Sequence, residues 1–151
     1  MRSRAEERLL ALEDACRKTG ARVTHQRREV LRAVVSGDAH PDALTILQRV
    51  RERMPTISFD TVYRTLSFLE EHRLVSRVSA TGERARYDGN DTPHHHFVCT
   101  TCGRIIDFES EELDGMELPA GVAELGTEAS RQLQVFGVCR DCEQRKEEGH
   151  G

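Results

Sequence analysis

The stretch Pro93-His-His-His-Phe-Val-Cys-Thr-Thr-Cys102 sets three histidines directly ahead of a Cys-x-x-Cys pair, and a second pair, Cys139-x-x-Cys142, follows after 36 intervening residues. Four thiolates complete a tetrahedral zinc site, and closed sites of this kind stabilise a fold without doing chemistry. The interval exceeds the ~15–20 residues of the common ribbon spacing. A β-α-β insertion must therefore separate the two knuckles and return the second to the first. Two matched pairs in a reducing compartment favour zinc on Cys99, Cys102, Cys139 and Cys142 over a redox disulfide pair.

The histidines obey a different rule. If residues 94–98 form a strand, side chains alternate between its faces, so His94 and His96 point one way and His95 the other. Only two of the three can share an ion, and further donors are needed. Asp88 and Asp107, the latter within the strand-like run Arg-Ile-Ile-Asp-Phe-Glu, are the acids placed to supply them. A lone histidine or aspartate is ordinarily just solvated; a His-x-His on a strand flanked by acids is a stronger signal.

These donors need elements to position them, and the first half of the chain is helical by period. Leu9, Leu12 and Cys16 share one stripe of a helix over 5–19 ending near Gly20, with Cys16 a buried small hydrophobe. Thr24 caps a second segment containing Val30, Leu31, Val34 and Val35. His40-Pro41 opens a third, with Leu44, Leu47 and Val50 inward and Pro55 as its stop. Ser58 caps a fourth, with Phe59, Val62, Leu66 and Leu69 inward and Asp60, Thr61, Tyr63, Arg64 and Ser67 outward. Two strand-like runs within 75–87 then flank the turn Ala80-Thr81-Gly82. This is the winged helix-turn-helix layout, in which helix 58–72 enters the major groove and the hairpin lies against the backbone.

The second half changes period. Segments around 94–99, 104–109 and 131–139 read as strands, with a weak helix within 111–125 and a tail from 143 that is frayed or helical. The expected fold class is α+β: a winged-helix DNA-binding domain over 1–88 and an α/β dimerisation domain with the four-cysteine zinc site over 89–151. Charge divides at the same place. Up to Asp88 there are 17 Lys/Arg against 13 Asp/Glu, a net of +4; from Gly89 onward 5 stand against 13, a net of −8. A basic half beside an acidic half fits an anionic partner for the first half only. The N-terminus turns acidic where a secretory signal would become apolar, and no run approaches ~18 apolar residues. The expectation is a soluble cytoplasmic protein with no membrane partner.

Taken together, His40-Pro41, "ISFDTVYRTLSFLEEHRLV", "RYD", "HHHFVCTTCGRIIDF" and "VFGVCRDC" resemble, in order and spacing, the ferric uptake regulator family of metal-dependent repressors over roughly residues 8–143. The resemblance implies a homodimer on a palindromic double-stranded operator. It puts the structural zinc on the four cysteines and the regulatory metal, Fe2+ or Mn2+, on His40, Asp88, His94, His96 and Asp107. His95 belongs to neither site. Iron-sensing relatives often carry His-His-Asp-His here and another histidine shortly before the last cysteine pair; this chain has Pro93, His95 and Ser130 instead, so their additional site is not expected. In the peroxide-sensing branch the two acids are aspartates, as here, and Fe(II) with an open position reacts with hydrogen peroxide, the oxidant so formed attacking a ligand histidine; by analogy His40 and His94 are the candidate targets. DNA contacts are expected from Thr61, Tyr63, Arg64 and Arg27. Arg64 stands where peroxide regulators often have asparagine and prefers guanine O6/N7.

Other classes weigh less. No catalytic residue is assigned: the His-x-His-x-Asp pattern of one metallohydrolase fold fails at Val98, and no nucleophile elbow or phosphate loop occurs. A metal-buffering role would leave the DNA-binding half without purpose, and an iron- or manganese-responsive repressor without peroxide sensing is the nearer alternative.

Overall fold

A computed structural model describes residues 1–37, 40–78 and 84–149. The chain divides into two compact units, Met1–Asp91 and Thr92–Gly151. The expected turn Ala80-Thr81-Gly82 and the terminal His150 lie outside the described residues.

The N-terminal unit is built from α1 (Arg4–Thr19), α2 (His25–Val35), α3 (Ala43–Arg51) and α4 (Phe59–Glu71), followed by β1 (Ser76–Val78) and β2 (Arg86–Asp88). Each start is explained by a side-chain cap. Ser3 forms a capping box with Glu6, and Thr24, Asp42 and Ser58 accept from the amides of Arg27, Thr45 and Thr61. Gly20 closes α1 in the left-handed conformation. Leu12, Cys16, Val30, Leu31, Ile46, Val50, Val62, Leu66 and Leu69 form the core. Strands β1 and β2 pair antiparallel, Ser76 opposite Asp88, which completes the winged helix.

Three expectations change. Asp42, not Pro41, starts α3, because its carboxylate caps the helix while Pro41 lies outside it. Leu44 is exposed and Ile46 buried; Leu44 stands about 200° around the helix from Ile46, which with Leu47 and Val50 makes the inner stripe. Phe59 is exposed too, since the first residue of α4 projects past the core and meets Tyr63, ring centroids 6.1 Å apart.

In the C-terminal unit, β3 (His95–Cys99), β4 (Ile105–Phe108) and β5 (Gln134–Gly137) form a sheet in the order β4-β3-β5. Strand β4 runs antiparallel to β3 with Asp107 opposite His96, and β5 runs parallel to it with Gly137 opposite Cys99. The single weak helix expected within 111–125 is two short ones, α5 (Glu111–Asp114) and α6 (Ala120–Leu125), because Gly115 and Pro119 interrupt it. The tail is helical as α7 (Arg140–Glu148). Among the described residues no helix is long and apolar enough to cross a membrane.

Arg73, just past α4, has φ 58°, a left-handed conformation that favours glycine. Arg73→Gly is expected to stabilise the protein by about 1 kcal/mol, read as a raised urea midpoint at unchanged m-value; a lowered midpoint would contradict this account of the turn.

Candidate metal centre

Parallel pairing explains how distant Cys-x-x-Cys pairs meet. Because β5 runs alongside β3 in the same direction, both strands end together and each delivers its pair to one end of the sheet. After β3, the chain turns through Thr100 and Thr101 to Cys102, and Gly103 at φ 75° completes a knuckle whose amide donates to the Cys99 carbonyl at 3.0 Å. After β5, Cys139 is the N-cap of α7 and Cys142 lies in its first turn. The Sγ atoms of Cys99 and Cys142 are 3.9 Å apart, as are those of Cys102 and Cys139, and all four lie within 4.8 Å of one another. Tetrahedral sulfurs at a Zn–S distance of ~2.3 Å stand ~3.8 Å apart, so the donor set fits zinc.

The amides of Cys102 and Cys139 both donate to Cys99 Sγ, at 3.4 and 3.3 Å. They draw that thiol down to about 5, making it a thiolate at neutral pH. Hydrogen bonding to Cys139, then burial, pushes the Cys142 thiol up to about 12. Crowded thiolates repel, and a dication among them removes that cost, so metal binding and deprotonation are coupled.

Other donors gather in each unit. In the N-terminal unit His40 and Asp88 are both buried, Nε2 3.5 Å from Oδ2. The segment carrying His40 is pinned along β2: the Tyr87 amide donates to the Pro41 carbonyl at 2.9 Å, and Arg86 Nε donates to the His40 carbonyl. Asp42 forms a bridge opposite Arg86 and an ion pair with Arg84. Asp88 accepts from the Asn90 amide at 2.8 Å. The next residue must be glycine, since a Cβ at Gly89 would sit 2.5 Å from Val35 Cγ1.

In the C-terminal unit, the Nε2 atoms of His94 and His96 are 3.1 Å apart and Asp107 Oδ1 lies 3.2 Å from His96 Nε2 and 4.0 Å from His94 Nε2. The Thr92 carbonyl accepts from His94 Nδ1 at 2.7 Å, which turns Nε2 toward its neighbours. His95 faces the other way, fully buried. Its Nδ1 accepts from the Leu133 amide at 3.0 Å, so Nε2 carries the proton donated to Asp114 at 2.9 Å. Both nitrogens of His95 are engaged within the fold.

On α4, Thr61, Arg64 and Phe68 join Thr24, Gln26 and Arg27 around a groove of about 310 Å³. Arg27 stacks its guanidinium over the Phe68 ring, 3.7 Å from the centroid. Tyr63 is exposed beside Phe59 rather than in the groove. Sequence reasoning passed over Asp42, Arg86 and Asp114 as supports. The cap position of Asp42 and the opposite sidedness of His95 were the available signals.

The sequence model described as Ferric uptake regulator family matches residues 18–129. The peroxide-responsive repressor PerR of Staphylococcus epidermidis is 33% identical over 134 residues, covering 89% of this chain and 87% of that protein. Among solved structures, the Helicobacter pylori ferric uptake regulator Fur, described as having three functional metal binding sites, superposes with a TM-score of 0.73 at 25% identity, covering 95% of this chain and 97% of the other. A zinc uptake regulator complexed with zinc and DNA superposes with a TM-score of 0.66 at 26% identity, covering 97% and 99%.

Cys99→Ser and Cys139→Ser are each expected to lose zinc and unfold the C-terminal unit, because a structural zinc contributes on the order of 10 kcal/mol of binding free energy to folding. Zinc content, sedimentation and thermal melting read this out; a dimeric, zinc-free variant with unchanged melting refutes it.

Proposed function

Because the chain belongs to the ferric uptake regulator family, whose members are transcription regulators rather than enzymes, we propose that it is a cytoplasmic, homodimeric, metal-dependent repressor that binds a palindromic operator and releases it on exposure to peroxide. The observation that carries this reading is the donor chemistry: His40 with Asp88 in one unit, and His94 and His96 with Asp107 in the other, are all nitrogen and oxygen ligands, distinct from the thiolate cluster. Imidazole and carboxylate suit Fe(II) or Mn(II), although zinc or copper binds such sets at least as tightly when available. One ion held by all five would tie the DNA-binding unit to the dimerisation unit, so metal occupancy would set the spacing of two recognition helices on successive major grooves.

Several features support the rest. Strand β5 is a sheet edge whose Val135 and Phe136, with neighbouring Leu133, are exposed. An apolar edge of that kind calls for cover, and a second copy is the cover this reading requires. Thr61, Tyr63 and Arg64 of α4 are the base-reading candidates, and Arg27 at the start of α2 a phosphate contact. The PerR relative supports the peroxide reading, as do aspartates at positions 88 and 107. Fe(II) with an open position, when bound, supplies the electron that turns hydrogen peroxide into an oxidant beside the ligand imidazoles, a reaction Mn(II) does not readily support. The chain's part is to hold His40 and His94 within reach and to keep His95 out of it.

With Fe(II) loaded anaerobically, a brief micromolar peroxide pulse is expected to release the protein from DNA and add oxygen mass to the peptide carrying His40 or His94, while the Mn(II) form stays bound. Gel shifts with mass spectrometry of tryptic peptides decide this. Unmodified peptides with iron demonstrably bound would assign the protein to iron- or manganese-responsive repression. Asp107→Glu should keep metal-dependent DNA binding and blunt the peroxide response, since the longer carboxylate reaches the open position.

Arg64→Ala is expected to relax base preference at one operator position, at ~1–3 kcal/mol, whereas Arg27→Ala should weaken all sequences about equally. Operator selection from random duplexes checks both; an unaltered preference for Arg64→Ala would remove α4 as the recognition helix.

A further inference from the structure

The outward face of α4 carries a carboxylate beside the base-reading candidates. Asp60 and Arg64 stand one helical turn apart and form an ion pair, with Arg64 Nε 3.1 Å from Asp60 Oδ2. Both side chains are in solvent, 70% and 80% exposed, where such a pair contributes little to folding. Asp60 also lies in the first turn of α4, where negative charge is favoured by the helix dipole. That helical role alone would not distinguish one DNA sequence from another.

The chemistry of the pair does. An arginine fork offers five N–H groups; with the Nε edge turned toward the Asp60 carboxylate, the two terminal nitrogens are left to span guanine O6 and N7. At such a base pair the carboxylate stays matched to the guanidinium, or accepts the N4–H of cytosine. At any other sequence Arg64 is drawn to a phosphate, and Asp60 is left facing a polyanion with its partner removed. The cost then falls on the wrong sequences, which is discrimination by repulsion. Neighbouring groups do not offer the same control: Arg27 is stacked on Phe68, and the Thr61 hydroxyl is bonded to Ser58 at 2.9 Å.

We propose that Asp60 is a specificity-determining residue of the DNA face: by holding Arg64 along α4 it aims the guanidinium at a guanine edge and penalises sequences where that pairing fails. The proposal rests on α4 being the recognition helix. Asp60 acts through Arg64 and is a positioning residue for it.

The test uses the full-length protein loaded with zinc and Mn(II). A duplex is selected from a randomised pool with the unaltered protein, and affinities for it and for a scrambled duplex are measured by fluorescence anisotropy at two salt concentrations. Asp60→Asn and Asp60→Ala should tighten the scrambled duplex about tenfold, as expected on removing one like-charge contact, and change the selected duplex less, so the ratio of the two affinities falls. In an Arg64→Ala background, Asp60→Ala should leave the ratio where Arg64→Ala put it. Equal tightening of both duplexes overturns the proposal, as does a lowered melting temperature with an unchanged ratio, which would assign Asp60 to the helix alone. If Arg64→Ala itself leaves the selected sequence unaltered, the recognition-helix reading fails and the proposal with it.

Discussion

Residues 92–151 form a unit of the size at which apolar burial alone gives only marginal stability. Its fully buried apolar side chains are few, and Cys99, Cys139 and Cys142 are prominent among them. Units of this size commonly gain a covalent or metal staple, and the four sulfurs, spaced as tetrahedral zinc ligands are, fit that part. Everything else in the unit follows from that closure. It fixes where β3 ends, and it holds β5 parallel to β3 across a long connection that has little secondary structure of its own. Gly137 completes the arrangement, for a Cβ there would sit 3.0 Å from the Phe97 ring.

The N-terminal unit has the opposite economy. Four capped helices bury a continuous core, and no metal is needed to hold it. The consequence is a division of labour between polar groups. His40 and Asp88 are buried on the flank of the wing, where Tyr87, Arg86 and Arg84 lace the segment 40–42 to β2. A change at His40 or Asp88 therefore bears directly on a hairpin strand and the start of α3, to which this segment is hydrogen-bonded. Coupling of this kind needs no long pathway, because the segment carrying His40 and the strand carrying Asp88 are joined by direct hydrogen bonds.

Much of this was legible in the sequence because local rules decided it. Ser58, Thr24 and the Gly20 stop are capping chemistry, and the Val62, Leu66, Leu69 stripe is helical period; both act within a turn or two and need no tertiary knowledge. The two Cys-x-x-Cys pairs were legible because thiolates at that spacing have few other uses. What escaped depended on where the core ends. Leu44 and Phe59 are as apolar as their buried neighbours, yet one stands off the inner stripe of α3 and the other past the end of the core. The break between α5 and α6 was signalled by Gly115 and Pro119, but propensity alone does not say whether such residues bend a helix or divide it. Asp114 was signalled only indirectly, by His95 facing away from its neighbours, which does not say which of many acids would meet it on that side of β3.

That meeting shows how the cysteine cluster and the histidine-aspartate set constrain each other. Side chains alternate along a strand, so a slip of one residue in β3 would bring His95 to the face of His94 and His96 and send those two to the other side. Nothing in the identity of three consecutive histidines prevents this. The register is set instead from both sides of the strand. At its end, Cys99 is tied to the knuckle, with its amide donating to the Arg104 carbonyl and its sulfur accepting two amides. At its start, His95 is anchored to Asp114 and to the Leu133 amide. With both ends held, His96 must lie opposite Asp107. The cysteine cluster contributes no group to the second donor set, yet together with the His95 anchor it fixes which histidines share a face with Asp107, because the knuckle holds the end of β3 in a single register.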